Sequence, residues 1–195
     1  MKEIQSIGVY CSSYDMVSDI YKQAAAELGE QLAKRNITLI YGGGARGLMG
    51  ELARATMKNQ GKVIGFMTQN LSDVEEPTIE ITELHMVETM HMRKRLLFEN
   101  SDAFFVLPGG FGTLDEAFEL IAWRQLSLHE KPIIFINING YWSLLKEFIN
   151  SISEQHFAKP EHMKCFQFVS SVTDAFHALF KVPEPVMLER GAEWI

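Results

Sequence analysis

Short apolar runs alternate with helix-length amphipathic segments along almost the whole chain, and this alternation constrains the fold more than any other feature. "IQSIGVYC" (4–11) reads as a buried strand, and the segment after it places Ile20, Ala24, Leu28 and Leu32 on one helical face. "ITLIYGGG" is a second strand running into glycines, "GLMGELARATMKNQG" a helix stopping at Gly61, and "KVIGFM" a third strand. Residues 68–83 are polar, contain Pro77 and lack a period, which reads as a long loop of the kind that often carries function. Beyond it, "TELHMVE", "DAFFVLPGG", "KPIIFIN" and "CFQFVS" read as strands. The helices between and after them are "TMHMRKRLLFENS", "TLDEAFELIAWRQLSLHE", "YWSLLKEFINSISEQHF" and "VTDAFHALFKV". Such spacing implies βαβ units: an α/β, Rossmann-like parallel sheet with helices on both faces and right-handed crossovers. A single domain is expected over 1–182, followed by a proline-containing tail, 183–195, with no assigned structure.

With 195 residues and 47% hydrophobic content, the chain can bury a full core without staples. Cys11 and Cys165 make no disulfide framework and no metal-ligand spacing, so a reducing cytoplasm is the expected setting. A net charge of −7 without a basic run argues against nucleic acid as a partner. No secretory leader and no apolar stretch of about 18 residues is present, which argues against a membrane.

In open α/β sheets ligands sit beyond the carboxyl ends of the strands, so the strand-to-helix junctions are the candidate site. Three are unusual. At "VYCSSYD", Ser12 and Ser13 suit either a phosphate or ribose contact or a plain hydroxyl-capped turn. At "YGGGARGLMG", Gly42, Gly44 and Gly47 fit G-x-G-x-x-G, and Gly43 and Gly44 are candidate ligand contacts of a phosphate-cradling turn; a simple tight turn is the alternative. A dinucleotide site would want a ribose-binding acid at the end of the next strand, but that strand ends in Gly65, Phe66 and Met67. At "VLPGGFGTLDEAFE", Thr113 and Glu116 have the spacing of a capping box, which would account for both without chemistry. It does not account for Gly109, Gly110 and Gly112, which suggest that something approaches the backbone closely.

Upstream, Arg93, Lys94 and Arg95 fan over about 200° of a helix, so they cannot all face one site. A solvated surface would explain them. Arg93, however, shares a face with Met90 and Leu97, where it needs a carboxylate or phosphate partner.

These residues together resemble the Lonely Guy family. "PGGFGTLDE" (108–116) matches its P-G-G-x-G-T-x-x-E, "MHMRK" (90–94) its M-H-x-R-K, and "YGGGARGLMG" its Y-G-G-G-x-x-G-L-M-G. "GYWSLL" (140–145) is similar to its later G-Y-Y-x-x-L-L, so the resemblance runs in order to about Phe180. Members are cytokinin-activating phosphoribohydrolases, many of them once labelled lysine decarboxylases. The resemblance implies a homodimer that hydrolyses the N-glycosidic bond of a nucleoside 5′-monophosphate, giving a free base and ribose 5-phosphate, with no metal or organic cofactor. Motif on motif, it assigns catalysis to Arg93 and Glu116. It assigns substrate contacts to Glu75, Lys94, Gly110, Phe111, Gly112, Thr113, Leu114 and Asp115. Ala122 stands where the family often has a ligand-touching threonine, and Arg124 adds charge near the expected dimer face or base pocket.

On that reading Glu116 would stabilise positive charge on the ribose or serve as base to a water. The 110–113 amides would hold the 5′-phosphate, and Arg93 would orient the substrate and counter its charge. The rivals are a nucleotide- or cofactor-carrying module without turnover, a pyridoxal-phosphate decarboxylase with Lys94 as its lysine, and an NAD-dependent oxidoreductase.

Overall fold

The structure is a computed structural model, of which residues 3–72 and 80–180 are described. Seven strands, β1 (Ser6–Tyr10), β2 (Thr38–Tyr41), β3 (Val63–Thr68), β4 (Glu83–Val87), β5 (Ala103–Val106), β6 (Ile133–Ile136) and β7 (Gln167–Val169), form one sheet. Every pairing is parallel and the order is β4-β3-β2-β1-β5-β6-β7. The helices are α1 (Asp19–Lys34), α2 (Gly47–Lys58), the single turn α3 (Gln69–Ser72), α4 (Met90–Glu99), α5 (Phe111–Gln125), α6 (Ser143–Glu154) and α7 (Val172–Ala178).

The inner strands are apolar on both faces because both faces are covered, whereas the edge strand β4 carries Glu83 and His85 and is partly exposed. Ile7, Val9, Phe105, Leu107, Ile134 and Ile136 point to the side packed by α1, α2 and α7. Tyr10, Phe104, Val106, Ile133 and Phe135 point to the opposite core, which takes Leu97 of α4, Ala117 and Leu120 of α5, and Ile149 of α6. The expected α/β class and parallel sheet are therefore observed. The chain winds outward from β1 to β4, then returns to the other side of β1 to place β5. That reversal leaves a crevice between the β1 and β5 carboxyl ends, where doubly wound sheets take ligands.

Some boundaries differ from expectation. The 68–83 loop is shorter: Thr68 completes β3 and residues 69–72 form α3. Ile20 is 41% exposed, so the inner face of α1 is carried by Ala24, Ala25, Leu28 and Leu32. A 3-10 segment, Pro160–Cys165, was not foreseen and shortens the strand that follows it. Among the described residues no helix is long and apolar enough to cross a membrane.

Candidate active site

The junctions after β1, β2, β5 and β6 meet at the carboxyl edge of the sheet, with α4 brought against them. Thr89 caps α4 by accepting from the Met92 N–H at 3.1 Å. One turn in, Arg93 is 5% exposed. Its Nε donates to the Phe66 carbonyl at 2.9 Å, within β3, and its Nη2 to the Gly42 carbonyl at 3.4 Å, after β2. Its Nη1 donates to Glu116 Oε1 at 2.8 Å. The Glu116 side chain is 12% exposed. Burial lifts its pKa above the ordinary carboxylate range even though Arg93 pulls the other way. Burial, then the Glu116 charge, also keeps the Tyr10 phenol protonated.

The basic cluster splits three ways. Arg93 enters the site. Lys94 Nζ lies 3.1 Å from Glu119 Oε1 and 3.2 Å from Asp115 Oδ2, tying α4 to the first turns of α5. Burial alone would lower the Lys94 pKa, but its bonds to Glu119 and Asp115 outweigh that and raise it. Arg95 faces out and pairs with Glu99 at 2.7 Å. Met90, expected on the apolar face with Arg93, is 42% exposed.

The capping box is a correction. Helix α5 begins at Phe111 with Gly110 as its N-cap, and no side chain caps it. Thr113 is therefore already in the first turn. It is buried, and its side chain folds back on Gly109: a Cβ at Gly109 would lie 2.1 Å from Thr113 Oγ1. Gly110 tolerates the N-cap position without a side chain, so the helix starts two residues early and Glu116 is free to take Arg93 instead.

Space explains the other glycines differently. A Cβ on Gly42 would lie 2.2 Å from Arg93 Nη2, so this glycine makes room for the guanidinium. Gly43 has φ +82° and packs against Leu84 and Met67, and Gly44 is buried in the same turn. The first amides of α2 are already taken: Gly47 donates to Asp15 Oδ1 at 2.7 Å, and Leu48 and Met49 donate to the Ser12 carbonyl. The Ser12 hydroxyl accepts from the Tyr14 N–H at 3.1 Å, which is the hydroxyl-turn reading of that junction. Gly110 and Gly112, by contrast, have nothing among the described residues within 4 Å of an added Cβ. The amides of the first α5 turn have no intrahelical acceptor and point along the axis toward the helix N-terminus. Phe111 beside them is 92% exposed, Leu114 half-buried, and Asp115 exposed apart from its bond to Lys94.

Glu75 lies outside the described residues. Arg124 turns inward rather than toward a pocket: it is 5% exposed and its Nη1 donates to the Lys131 carbonyl at 2.8 Å, closing the end of α5 onto the lead into β6. Sequence reasoning missed the Asp15 contact, the Gly42–Arg93 fit, and the Tyr141 hydroxyl, which donates to the Gly109 carbonyl at 2.7 Å. Only the last had a signal, the "GYWSLL" motif, and nothing local indicates what Tyr141 touches.

A family profile described as "possible lysine decarboxylase" matches residues 49–179. A cytokinin riboside 5′-monophosphate phosphoribohydrolase of Arabidopsis thaliana is 41% identical over 81% of this chain and 74% of its own length. Two Oryza sativa subsp. japonica proteins named as probable enzymes of the same kind are 39% and 43% identical. They cover 88% and 78% of this chain, which spans 75% and 62% of their lengths. The chain belongs to the Lonely Guy family. Similar solved structures include the molybdenum cofactor carrier protein of Chlamydomonas reinhardtii, with a TM-score of 0.70, 18% identity, and coverage of 92% of this chain and 98% of that one. The molybdenum cofactor binding protein of Rippkaea orientalis gives 0.69 at 19% identity, covering 93% and 99%. Those two likenesses describe the fold. Within the Lonely Guy site, Lys94 is the one lysine of the matched motifs, and two carboxylates hold it as an ammonium. A Schiff-base lysine must instead be neutral and free to attack.

Proposed function

We propose that this Lonely Guy protein is a nucleoside 5′-monophosphate phosphoribohydrolase, releasing a purine base and ribose 5-phosphate from AMP or an N6-modified, cytokinin-type relative. The relatives' activity supports this reading. The observation that carries it is a buried carboxylate, Glu116, held at one oxygen by Arg93 and lying on the same helix as two glycines that face open space.

In the reaction the bond from ribose to base nitrogen breaks, water supplies the new oxygen on the anomeric carbon, and the proton released from water leaves with the base. Positive charge builds on the ribose as the bond stretches, and an adjacent carboxylate stabilises it. Arg93 holds Oε1, while Oε2 has no protein donor among the described residues and is the atom assigned to the substrate. Arg93 acts through Glu116, since its guanidinium is already bonded to Phe66, Gly42 and Glu116. The 110–113 amides and the α5 dipole receive the 5′-phosphate. Lys94 acts on the turn through Asp115 and Glu119. Glu75, Ser12, Gly43 and Gly44 stay as further contacts to probe by substitution. We also place the enzyme in the cytoplasm as a homodimer. Exposed Met90 and Met92 on α4 and Leu126 and Leu128 after α5 offer apolar surface for that association, which light scattering will test.

Gly112→Ala is the sharpest test. An added methyl meets no atom of the described residues and helix propensity gains up to about 1 kcal/mol, so the variant should be as stable as the parent or more so. Its KM for AMP should rise about tenfold or more, because the methyl enters the phosphate's space. Ribose 5-phosphate release from AMP and from isopentenyladenosine monophosphate is the readout. Nucleotide binding without release would defeat the hydrolase reading in favour of a carrier. An unchanged KM would remove the phosphate from this turn.

A further inference from the structure

The glycine turn after β5 is held from both neighbouring strands. On the β1 side, the Ser12 N–H donates to the Pro108 carbonyl at 3.1 Å. On the β6 side, the Tyr141 hydroxyl donates to the next carbonyl, that of Gly109, at 2.7 Å. Two consecutive carbonyls are therefore fixed by loops on opposite flanks.

We infer that Tyr141 is a positioning residue that aims the Gly110 N–H at the substrate's 5′-phosphate. The inference rests on the phosphoribohydrolase reading above. A trans peptide holds its C=O and N–H antiparallel, and the described residues contain no cis bond. Fixing the Gly109 oxygen toward Tyr141 therefore turns the Gly110 N–H to the opposite side. That N–H has no protein acceptor among the described residues, and the space at Gly110 is open. Glycine has little resistance to peptide rotation, so without an outside restraint a Gly-Gly pair would sample other orientations and lose the donor.

The loop after β6 is built to hold the phenol in place. Asn139 and Gly140 turn the chain with φ of +50° and +74°. The Asn137 side chain then accepts from the Trp142 N–H at 2.6 Å and donates to Ser143 Oγ at 3.2 Å. The Tyr141 ring is braced edge-on by Tyr21 at 5.7 Å and Trp142 at 4.7 Å between centroids. Burial raises the Tyr141 pKa further above neutrality, so the hydroxyl remains a donor.

Tyr141→Phe keeps the ring and removes only the donor. The expected result is about a tenfold weaker Kd for ribose 5-phosphate and a matching rise in KM for AMP, the size of one hydrogen bond to a charged group. The kcat should stay within about twofold and Tm within about 2 °C, and binding of adenine, which has no phosphate, should not change. Tyr141→Leu should add a clear loss of Tm, separating ring packing from the hydroxyl's effect. If the wild-type protein binds ribose 5-phosphate and Tyr141→Phe binds it equally well, the positioning role is wrong while the parent reading stands. If the wild type neither binds ribose 5-phosphate nor releases it from AMP, both fall together.

Discussion

Arg93 and Glu116 form one buried ion pair rather than two independent side chains, and Gly42 belongs to the same arrangement. Removing either partner of a buried ion pair costs roughly 3–5 kcal/mol, because the survivor is left uncompensated. Arg93→Ala should therefore lose both activity and stability. Gly42→Ala keeps the charge but drives a methyl into the guanidinium. It should mimic Arg93→Ala in kcat, with a smaller loss in Tm, in a paired assay of AMP hydrolysis and thermal melting. Glu116→Gln keeps the side-chain shape and an acceptor for Arg93, so it should fold and lose roughly a hundredfold or more in kcat. The raised Glu116 pKa has a signed consequence. The ionised form needed for chemistry is lost as pH falls through that raised value, so the acid limb of kcat/KM should lie above about 4.3, where a solvated glutamate titrates. A limb at or below that value would contradict the burial argument. Motif spacing made these two residues legible. It could not show that they touch each other, since 23 positions separate them and a pairing across elements leaves no local pattern.

Helices α4 and α5 have to keep a fixed register for that pair to exist, and the far end of α4 supplies the clamp. Phe98 meets Trp123 edge-on at 5.1 Å and His129 at 5.2 Å, and stacks with Phe104 at 6.1 Å. The Lys131 ammonium lies 3.9 Å from the Phe98 ring centre and donates to the Phe98 carbonyl at 2.6 Å. Phe98→Ala should cost about 3 kcal/mol, near the low end for an aromatic truncation because the ring is only half-buried. Its kcat should fall as well, although Phe98 lies more than one turn from Arg93. A variant that melts early yet keeps full kcat at low temperature would show that the register is held elsewhere. The existence and order of these helices were readable from apolar periodicity. The start of α5 was not, because Thr113 carries a capping signature that its packing against Gly109 overrides.

Across the molecule, acid sensitivity should come from His129 rather than from Glu116. His129 Nε2 donates to the Leu120 carbonyl at 2.9 Å while Nδ1 accepts from the Lys131 N–H at 3.1 Å, so the neutral ring is the one that fits. Burial, with Arg124 and Lys131 nearby, lowers its pKa. The unfolded chain then takes a proton near pH 6.5 that the folded chain refuses, so stability falls as pH drops through that range and is flat above it. Glu116 works in the opposite sense: its raised pKa lets the folded state bind a proton more readily than the unfolded one. The slope of Tm between about pH 7 and pH 5 should flatten in His129→Gln. An unchanged slope would assign acid sensitivity to other groups.

Period and punctuation in the chain were enough to specify a parallel α/β sheet, because an apolar strand buried on both faces and an amphipathic crossover helix each carry their own local pattern. The family motifs were legible for a related reason: each is a short contiguous run. The meaning of individual glycines was not legible. Gly42 yields space to Arg93, Gly109 to Thr113, and Gly110 and Gly112 to no atom among the described residues. The same residue type serves three purposes there, and what fills the space beside each one is set by chain segments remote in sequence. The restraint of Tyr141 on Gly109 arises the same way, from the adjacency of β5 and β6 in a sheet whose order no local stretch encodes.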